Sequence, residues 1–157
     1  MKKIVSLTLV LVFALALVAC GGATPTKLGT SAFSIVLPEG YVLTEDDFDE
    51  DQVAYFYKDD DSIDFDVYQW EKGDQYTLES EAHSLATAYG TVAEAVKVNG
   101  IRGMKYVSHE EFEGDPYTVV NYLFEDELYI VELSFWTIGS EEEYAAVDEI
   151  LDTLTRS

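Results

Sequence analysis

Residues 128–137 constrain the fold more than any other stretch, because their apolar side chains alternate onto both faces of an extended strand. The apolar residues on one face are Tyr129, Val131, Leu133 and Phe135, and those on the other face are Leu128, Ile130 and Trp136. A strand that is apolar on both faces sits centrally in a sheet and is at least partly covered on each side. Residues 117–124 have the same character and precede it by a tight connection, so the two stretches predict a hairpin.

Two helical patterns flank this hairpin in the sequence. Thr77 is a favoured N-cap residue for a helix over residues 78–89, and Gly90 follows where a left-handed terminator is favoured. Ser140 and Glu143 match a capping box, and the apolar residues after them recur at helical spacing. The sequence therefore predicts one helix in the middle of the chain and one at its end.

Shorter strand patterns complete the sheet. They cover residues 33–37, 41–43, 53–57, 63–70, 92–98 and 101–108, and Asn99-Gly100 is the strongest hairpin signal. Residues 110–116 are polar and predict a connection before the last hairpin. The predicted fold is α+β, with a single antiparallel-rich sheet of about six to eight strands and two helices packed on it. Residues 31–157 are expected to form one domain.

The N-terminal residues predict export and anchoring. Residues 1–19 begin with two lysines and continue into an apolar run of about 15 residues, which is typical of a signal peptide and short for a bilayer crossing. Leu17-Val18-Ala19-Cys20 resembles the lipobox of bacterial lipoproteins, which implies cleavage before Cys20 and lipidation of that residue. Residues 20–30 would then carry the lipid and act as a flexible tether. An ordinary secretory signal and a transmembrane anchor are the alternatives.

Charge and cysteine content exclude several classes of function. The net charge of −22 disfavours nucleic acid, which is bound by neutralising phosphates with Lys and Arg. Cys20 is the single cysteine, so an intrachain disulfide and a thiol nucleophile in the folded domain are excluded. The expected partners are the cell membrane, through a lipid on Cys20 at its extracytoplasmic face, and a protein at the cell surface.

An acidic stretch raises the question of a cation. The candidate ligands for a weak calcium site are Asp59, Asp61, Asp64 and Asp66. The stretch lacks the glycine and glutamate of an EF-hand loop, and a solvated hairpin turn is the alternative. The acidic residues 45–51 have the same two interpretations, and no other cofactor is indicated.

A second candidate site is aromatic. Tyr68, Trp70 and Trp136 are expected to share a sheet face with Asp64, Asp66 and Glu132. Such a face would form a shallow groove for a sugar, an amine or a basic peptide, through cation–π contacts and acids. The alternative is that a helix covers this face and that the aromatic rings belong to the core.

The order of elements resembles the PsbP/Mog1-like fold, an α/β/α sandwich. The resemblance is carried by residues 33–38 with Gly40-Tyr41, by the strand 63–70 leading to the first helix, by Asn99-Gly100-Ile101-Arg102-Gly103, and by residues 128–136 before the last helix. These are fold-forming positions, so the resemblance implies an architecture and no catalytic residue.

The sequence predicts a non-catalytic binding or interaction module. His83 and His109 are isolated in the sequence, and no nucleophile–base motif or phosphate loop accompanies them. A divalent-cation-binding or cation-responsive lipoprotein is the first alternative. A carbohydrate-active enzyme that uses paired carboxylates is the second.

Overall fold

A computed structural model describes residues 24–44, 51–58, 63–73 and 77–157. Two helices lie in these ranges, α1 (Leu78–Ala88) and α2 (Glu141–Leu151). The strands of the described residues are β1 (Thr26–Lys27), β2 (Phe33–Ile35), β3 (Val42–Thr44), β4 (Gln52–Tyr57), β5 (Asp64–Glu71), β6 (Glu94–Val98), β7 (Ile101–Phe112), β8 (Asp115–Glu125), β9 (Tyr129–Thr137) and β10 (Thr155–Arg156). None of the described helices is both long enough and apolar enough to cross a membrane.

The large sheet has seven strands in the order β3-β4-β5-β9-β8-β7-β6, and every neighbouring pair is antiparallel. β9 is the middle strand, as its two apolar faces predict. Leu133 on one face and Ile130 on the other are both buried. A separate three-stranded sheet, β1-β2-β10, pairs segments from the two ends of the described chain.

One face of the large sheet carries the main core. Val147, Ile150 and Leu151 of α2 pack there on apolar side chains of the central strands, together with Phe33 and Ile35 of β2. The rings of this face contact one another, and the Phe65 ring lies 4.9 Å from the Phe135 ring. Burial of such large apolar surfaces is the main stabilising contribution to the fold.

α1 covers the opposite face and only part of it. Leu78, Ala82 and Ala86 of this helix pack on a second cluster, which contains Met104, Tyr106, Leu123 and Ile130. The two helices therefore lie on opposite faces of the sheet, and the expected α/β/α sandwich is confirmed. The helix boundaries also match the prediction, since Thr77 and Ser140 are the N-caps and each forms a capping box.

Two predicted boundaries are wrong. Residues 110–116 form no polar connection, because β7 and β8 continue to a two-residue turn, Glu113-Gly114, in which both residues have positive φ (55° and 94°). This geometry matches the right-handed twist of paired strands. Leu128 precedes β9 and is 66% exposed, because its N–H and that of Tyr129 both donate to Asp126 Oδ1 in the turn.

The folded part also begins before residue 31. Thr26–Lys27 forms β1, and Leu28 is fully buried in the main core. The composition around them, which is Gly, Ala, Thr and Pro, predicts a tether instead. Pairing with β2 gives this short segment its structure.

Candidate functional site

The part of the sheet face that α1 leaves uncovered forms a cavity of about 420 Å³. We call it the α1 cleft. Its floor consists of β5, β7, β8 and β9, and α1 forms one wall. The cleft is defined by five aromatic residues, Tyr68, Trp70, Tyr89, Tyr106 and Trp136, and four acids, Asp51, Glu81, Glu110 and Glu132, with Leu85, Val119, Asn121 and Ser134 completing the lining.

Strand register brings the predicted aromatic residues together. In the β5–β9 pair, Tyr68 lies opposite Glu132, Trp70 opposite Ile130, and Asp64 opposite Trp136. All of them point to the face that carries α1. Tyr68, Trp70 and Trp136 are half-buried, and Trp70 also packs against the α1 cluster. Trp70 therefore contributes to the core beside α1, all three residues line the cleft, and ligand binding on this face stays a prediction.

Glu132 is the buried acid of the cleft. It lies in the middle strand and is 6% exposed. The hydroxyl of Tyr106 donates to Glu132 Oε1 at 2.6 Å. The pKa of Glu132 is raised to about 7, chiefly by burial and also by the carboxylates of Glu110 and Glu81, while hydrogen bonds from Tyr106 and Ser134 oppose the rise. This carboxyl group therefore changes charge near neutral pH.

The charges around the α1 cleft have one sign. No lysine, arginine or histidine of the described residues lines it. Lys72 pairs with Glu125 at 2.9 Å and Arg102 approaches Glu79 at 3.7 Å, both away from the lining. Lys105 lies 5.4 Å from the centre of the Tyr122 ring, on the opposite sheet face. Within the described part of the chain, the cleft is therefore acidic and has no basic side chain to balance it.

Asp64 and Asp66, two of the predicted cation ligands, lie in a neighbouring cavity of about 300 Å³ that shares Trp136 with the α1 cleft. Asp66 accepts hydrogen bonds from Trp136 Nε1 at 2.7 Å and from Gln52 Nε2 at 2.6 Å. Asp64 accepts one from the Tyr55 hydroxyl at 2.7 Å. Burial raises the pKa of Asp66, and the Asp64 carboxylate adds to the rise. The hydrogen bond from Trp136 lowers the pKa and offsets part of this rise.

The calcium site itself stays a prediction. Asp59 and Asp61 lie outside the described residues, as do residues 45–50 of the other acidic stretch. Among the residues that are described, no group of three or more His, Cys, Asp or Glu side chains is arranged to hold a metal ion.

Two other predicted features lie away from the cleft. Cys20 is outside the described residues, so its lipidation also stays a prediction. His83 and His109 are exposed, and neither lines the α1 cleft.

Sequence reasoning missed several residues of the cleft. Tyr106 and Glu110 of β7 meet Glu132 only because β8 lies between their strands in register, and Glu81 and Tyr89 arrive with α1. The sequence did contain one indication of the floor of the cleft, because Glu132 is an acid in the middle of an otherwise largely apolar strand.

Comparison with known proteins is informative at the level of the fold. No protein-family model and no curated protein matches the chain. Solved structures do: cyanobacterial PsbP (CyanoP) from Synechocystis sp. PCC 6803 is 11% identical over 88% of this chain and 95% of that protein, with a TM-score of 0.57. The fold is PsbP-like.

Two further structures share the PsbP-like fold of this chain. LpqN of Mycobacterium tuberculosis, described as involved in cell envelope biogenesis, is 12% identical over 84% of this chain and 88% of LpqN, with a TM-score of 0.57. A Bacteroides thetaiotaomicron protein is 19% identical over 80% of this chain, with a TM-score of 0.58, and this chain spans 45% of its length. The predicted PsbP-like resemblance is therefore confirmed for the architecture.

Proposed function

We propose that this protein is a membrane-anchored lipoprotein whose extracytoplasmic domain binds a small ligand in the α1 cleft and catalyses no reaction. The cleft is the observation that carries the proposal. Its volume of about 420 Å³ lies in the range of small-molecule sites. Its aromatic lining with a few polar groups is also typical of such sites.

Two observations support the location. Residues 17–20 match a lipobox at the end of a signal-peptide-like segment. LpqN, which has the same fold, is described as acting in cell envelope biogenesis. Anchoring through Cys20 would leave the domain free of any need for a membrane-binding surface of its own.

The anchor is tested by metabolic labelling. Cells that express the full chain are grown with an alkyne-bearing fatty acid, and the protein is examined for label and for membrane fractionation. We expect label and membrane association in the wild type, and loss of both in Cys20→Ala. An unlabelled wild type, or a labelled Cys20→Ala variant, would contradict the anchor.

The binding function is tested by NMR of the indole N–H groups. The chain has two tryptophans, Trp70 and Trp136, and both line the α1 cleft. Full-length protein is titrated with four separate classes of probe: neutral monosaccharides, amino acids, alkylammonium salts and basic dipeptides. Saturable shifts of these two signals by any one class support the function, and no shift by any class contradicts it. Turnover of glycoside substrates that Glu132→Gln abolishes would indicate a carbohydrate-active enzyme instead.

A cation-responsive function is the second candidate. It is favoured by the proximity of Asp64 to Asp66, whose pKa is raised by burial and by this neighbouring carboxylate, because a bound cation would relieve the repulsion. Thermal melting is measured with millimolar calcium and with a monovalent salt at matched ionic strength. A calcium-specific rise that Asp64→Asn removes supports this function. Equal melting temperatures in the two salts exclude it.

A further inference from the structure

The charge of the α1 cleft favours cationic ligands. Glu110 and Glu81 lie near enough to Glu132 to raise the pKa of that buried acid, and Asp51 adds a fourth carboxyl group to the lining. No basic side chain of the described residues lines the cleft to balance them. A ligand that carries positive charge therefore supplies what this site lacks, whereas an anion is repelled.

The aromatic rings select the type of cation. Tyr89 and Tyr106 are stacked with ring centres 6.0 Å apart, and Trp136 packs edge-on against Tyr117 at 5.7 Å. Trp70 and Tyr68 complete the aromatic surface. Ring faces attract cations, and the attraction is strongest for tryptophan and for cations that lose their water easily. An alkylated ammonium group is such a weakly hydrated cation, and the cleft offers it two tryptophan rings.

Glu132 offers a ligand its negative charge more than it offers hydrogen-bond acceptors. Its carboxyl group already accepts hydrogen bonds from Tyr106 and from Ser134. The other titratable groups that line the cleft are Tyr106 and Glu110 from β7, Glu81 from α1, Tyr89 from the segment after α1, Tyr68 from β5 and Asp51 from the segment before β4. None of these is a cation, so the charge of Glu132 is left for a ligand to balance.

We propose that the α1 cleft binds a small organic cation, with its alkylated ammonium group held against the aromatic rings above Glu132. The inference rests on the proposed binding function and names the ligand class for the same site. A neutral sugar would leave the acids of the cleft without a counter-charge. Hydrated calcium would gain little from the aromatic walls.

The experiment compares a cation with a neutral molecule of the same shape. Choline and 3,3-dimethylbutan-1-ol differ in one atom, the charged nitrogen or a carbon in its place. Each is titrated into the full chain in a polyoxyethylene detergent, which carries neither sugar nor cation, at constant ionic strength. Binding is followed by tryptophan fluorescence, to which only Trp70 and Trp136 contribute. We expect choline to bind at least about ten-fold more tightly than the neutral alcohol.

Two variants locate the charge that matters. Glu132→Gln is expected to weaken choline binding about ten-fold at pH 8 and little at pH 5.5, where Glu132 of the wild type is already protonated. Glu94→Gln removes the same charge from an exposed position on β6 outside the cleft, and its affinity is expected to stay at the wild-type value.

Choline binding near pH 7 should also release protons from Glu132. Calorimetry detects this release, because the measured heat of binding then depends on the ionisation enthalpy of the buffer.

Several results would overturn the inference. Equal affinity for choline and its neutral analogue would do so, and so would an equal loss of affinity in Glu132→Gln and Glu94→Gln. Displacement of choline by calcium at concentrations where sodium has no effect would assign the acids to a metal instead. If a neutral sugar shifts both indole signals while choline shifts neither, the inference fails and the proposed binding function stands. If no probe shifts them, both fail.

Discussion

At the scale of single residues, the most consequential side chain is Glu132. It places a carboxyl group in the middle strand of the sheet, 6% exposed and beside two other acids. Such a group is neutral when protonated and carries a desolvated charge when ionised. The stability of the domain and the charge of the cleft are therefore linked through one titration.

Glu132→Gln is expected to remove part of the pH dependence of stability. The folded-state pKa of about 7 lies above the reference value of 4.5, so the folded state holds a proton that the unfolded state has released. This group thus lowers the free energy of unfolding as pH rises from about 4.5 to 7, by roughly 3 kcal/mol. Glutamine keeps an acceptor for Tyr106 and does not titrate, so the variant should be more stable than wild type at pH 8.

The measurement is urea denaturation at pH 5, 6, 7 and 8. Burial also raises the pKa of Asp66. The variant therefore keeps the part of the decline in unfolding free energy that comes from Asp66. Glu94→Gln serves as the control for net charge and should follow the wild-type curve shape. Parallel curves for Glu132→Gln and the wild type would contradict the assignment.

Asp126 has the opposite influence on the pH dependence of stability. Burial opposes ionisation, yet N–H donors from Ala32, Tyr129 and Leu128 at 2.7–2.8 Å lower the pKa of its carboxyl group. Its stabilisation is therefore present above the unfolded-state pKa and is lost as pH falls through the lower folded-state value. We expect Asp126→Asn to cost about 1–3 kcal/mol at pH 7 and less at pH 3.

Urea denaturation at the two pH values tests this expectation. Glu127→Gln, one residue along and exposed, removes the same charge without the backbone contacts and should change stability little. Equal losses in the two variants would show that charge alone matters at this turn.

Residue roles of this kind were only partly predictable. The alternation of residues 63–70 placed Tyr68 and Trp70 on one face, and the acid inside β9 marked Glu132. Tyr106 could not be assigned as the partner of Glu132 from sequence, because their contact depends on the register of two strand pairs across β8. Local periodicity gives the face of a residue and leaves its neighbours undetermined.

At the scale of elements, β7 and β8 form the longest hairpin of the described chain and contain a close backbone approach. A Cβ atom on Gly103 would lie 2.6 Å from the Phe124 ring and 2.7 Å from the carbonyl oxygen of Leu123. The missing side chain at this position is what lets the two strands and the Phe124 ring pack together.

Gly103→Ala is therefore expected to destabilise the domain by about 1–3 kcal/mol, because neither the buried ring nor the backbone carbonyl can move easily. Chemical denaturation measures the loss. Arg102→Ala, at an exposed position on the same strand, should stay within about 0.5 kcal/mol of wild type. A neutral Gly103→Ala would mean that the hairpin adjusts its spacing without penalty.

The existence of most elements followed from sequence, whereas the ends of the hairpin did not. Asn99-Gly100 correctly predicted the turn between β6 and β7, and both residues have positive φ (45° and 86°). Glu113-Gly114 forms the same kind of turn in a polar stretch, and its charged flanks favoured a loop. Pairing with β8 extends β7 through polar residues that have no strand periodicity of their own.

At the scale of the whole molecule, the fold places the cleft and the strand β2 on opposite sides of the large sheet. β2 and α2 share the face with the main core, and α1 and the cleft share the other. The resemblance of the element order to the PsbP/Mog1-like fold implied the sandwich, whereas the residues alone predicted two helices on one sheet. The extent to which α1 covers its face depends on packing, so the sequence left open whether a cleft exists.

The three-stranded sheet joins both ends of the described chain to one strand, and its contribution can be measured. Removing residues 155–157 deletes β10 and the bond from Ser157 N–H to the Ala32 carbonyl at 2.9 Å. We expect a loss of roughly 2–3 kcal/mol, at about 1 kcal/mol per net hydrogen bond. Thermal melting of the shortened chain tests this, and appending Gly-Ser after residue 157 serves as the control. An unchanged melting temperature would show that β10 pairs without stabilising the fold.

The same pairing sets the order in which the chain can complete its structure during synthesis. The Thr155 hydroxyl donates to the Ser34 carbonyl 121 residues away, so one edge of β2 is completed only after the intervening residues have been made. Contacts this distant in sequence form late, after the intervening loop entropy has been overcome. In a chain that emerges N-terminus first, β2 therefore pairs with β1 early and gains β10 only after all the strands and helices between them have emerged.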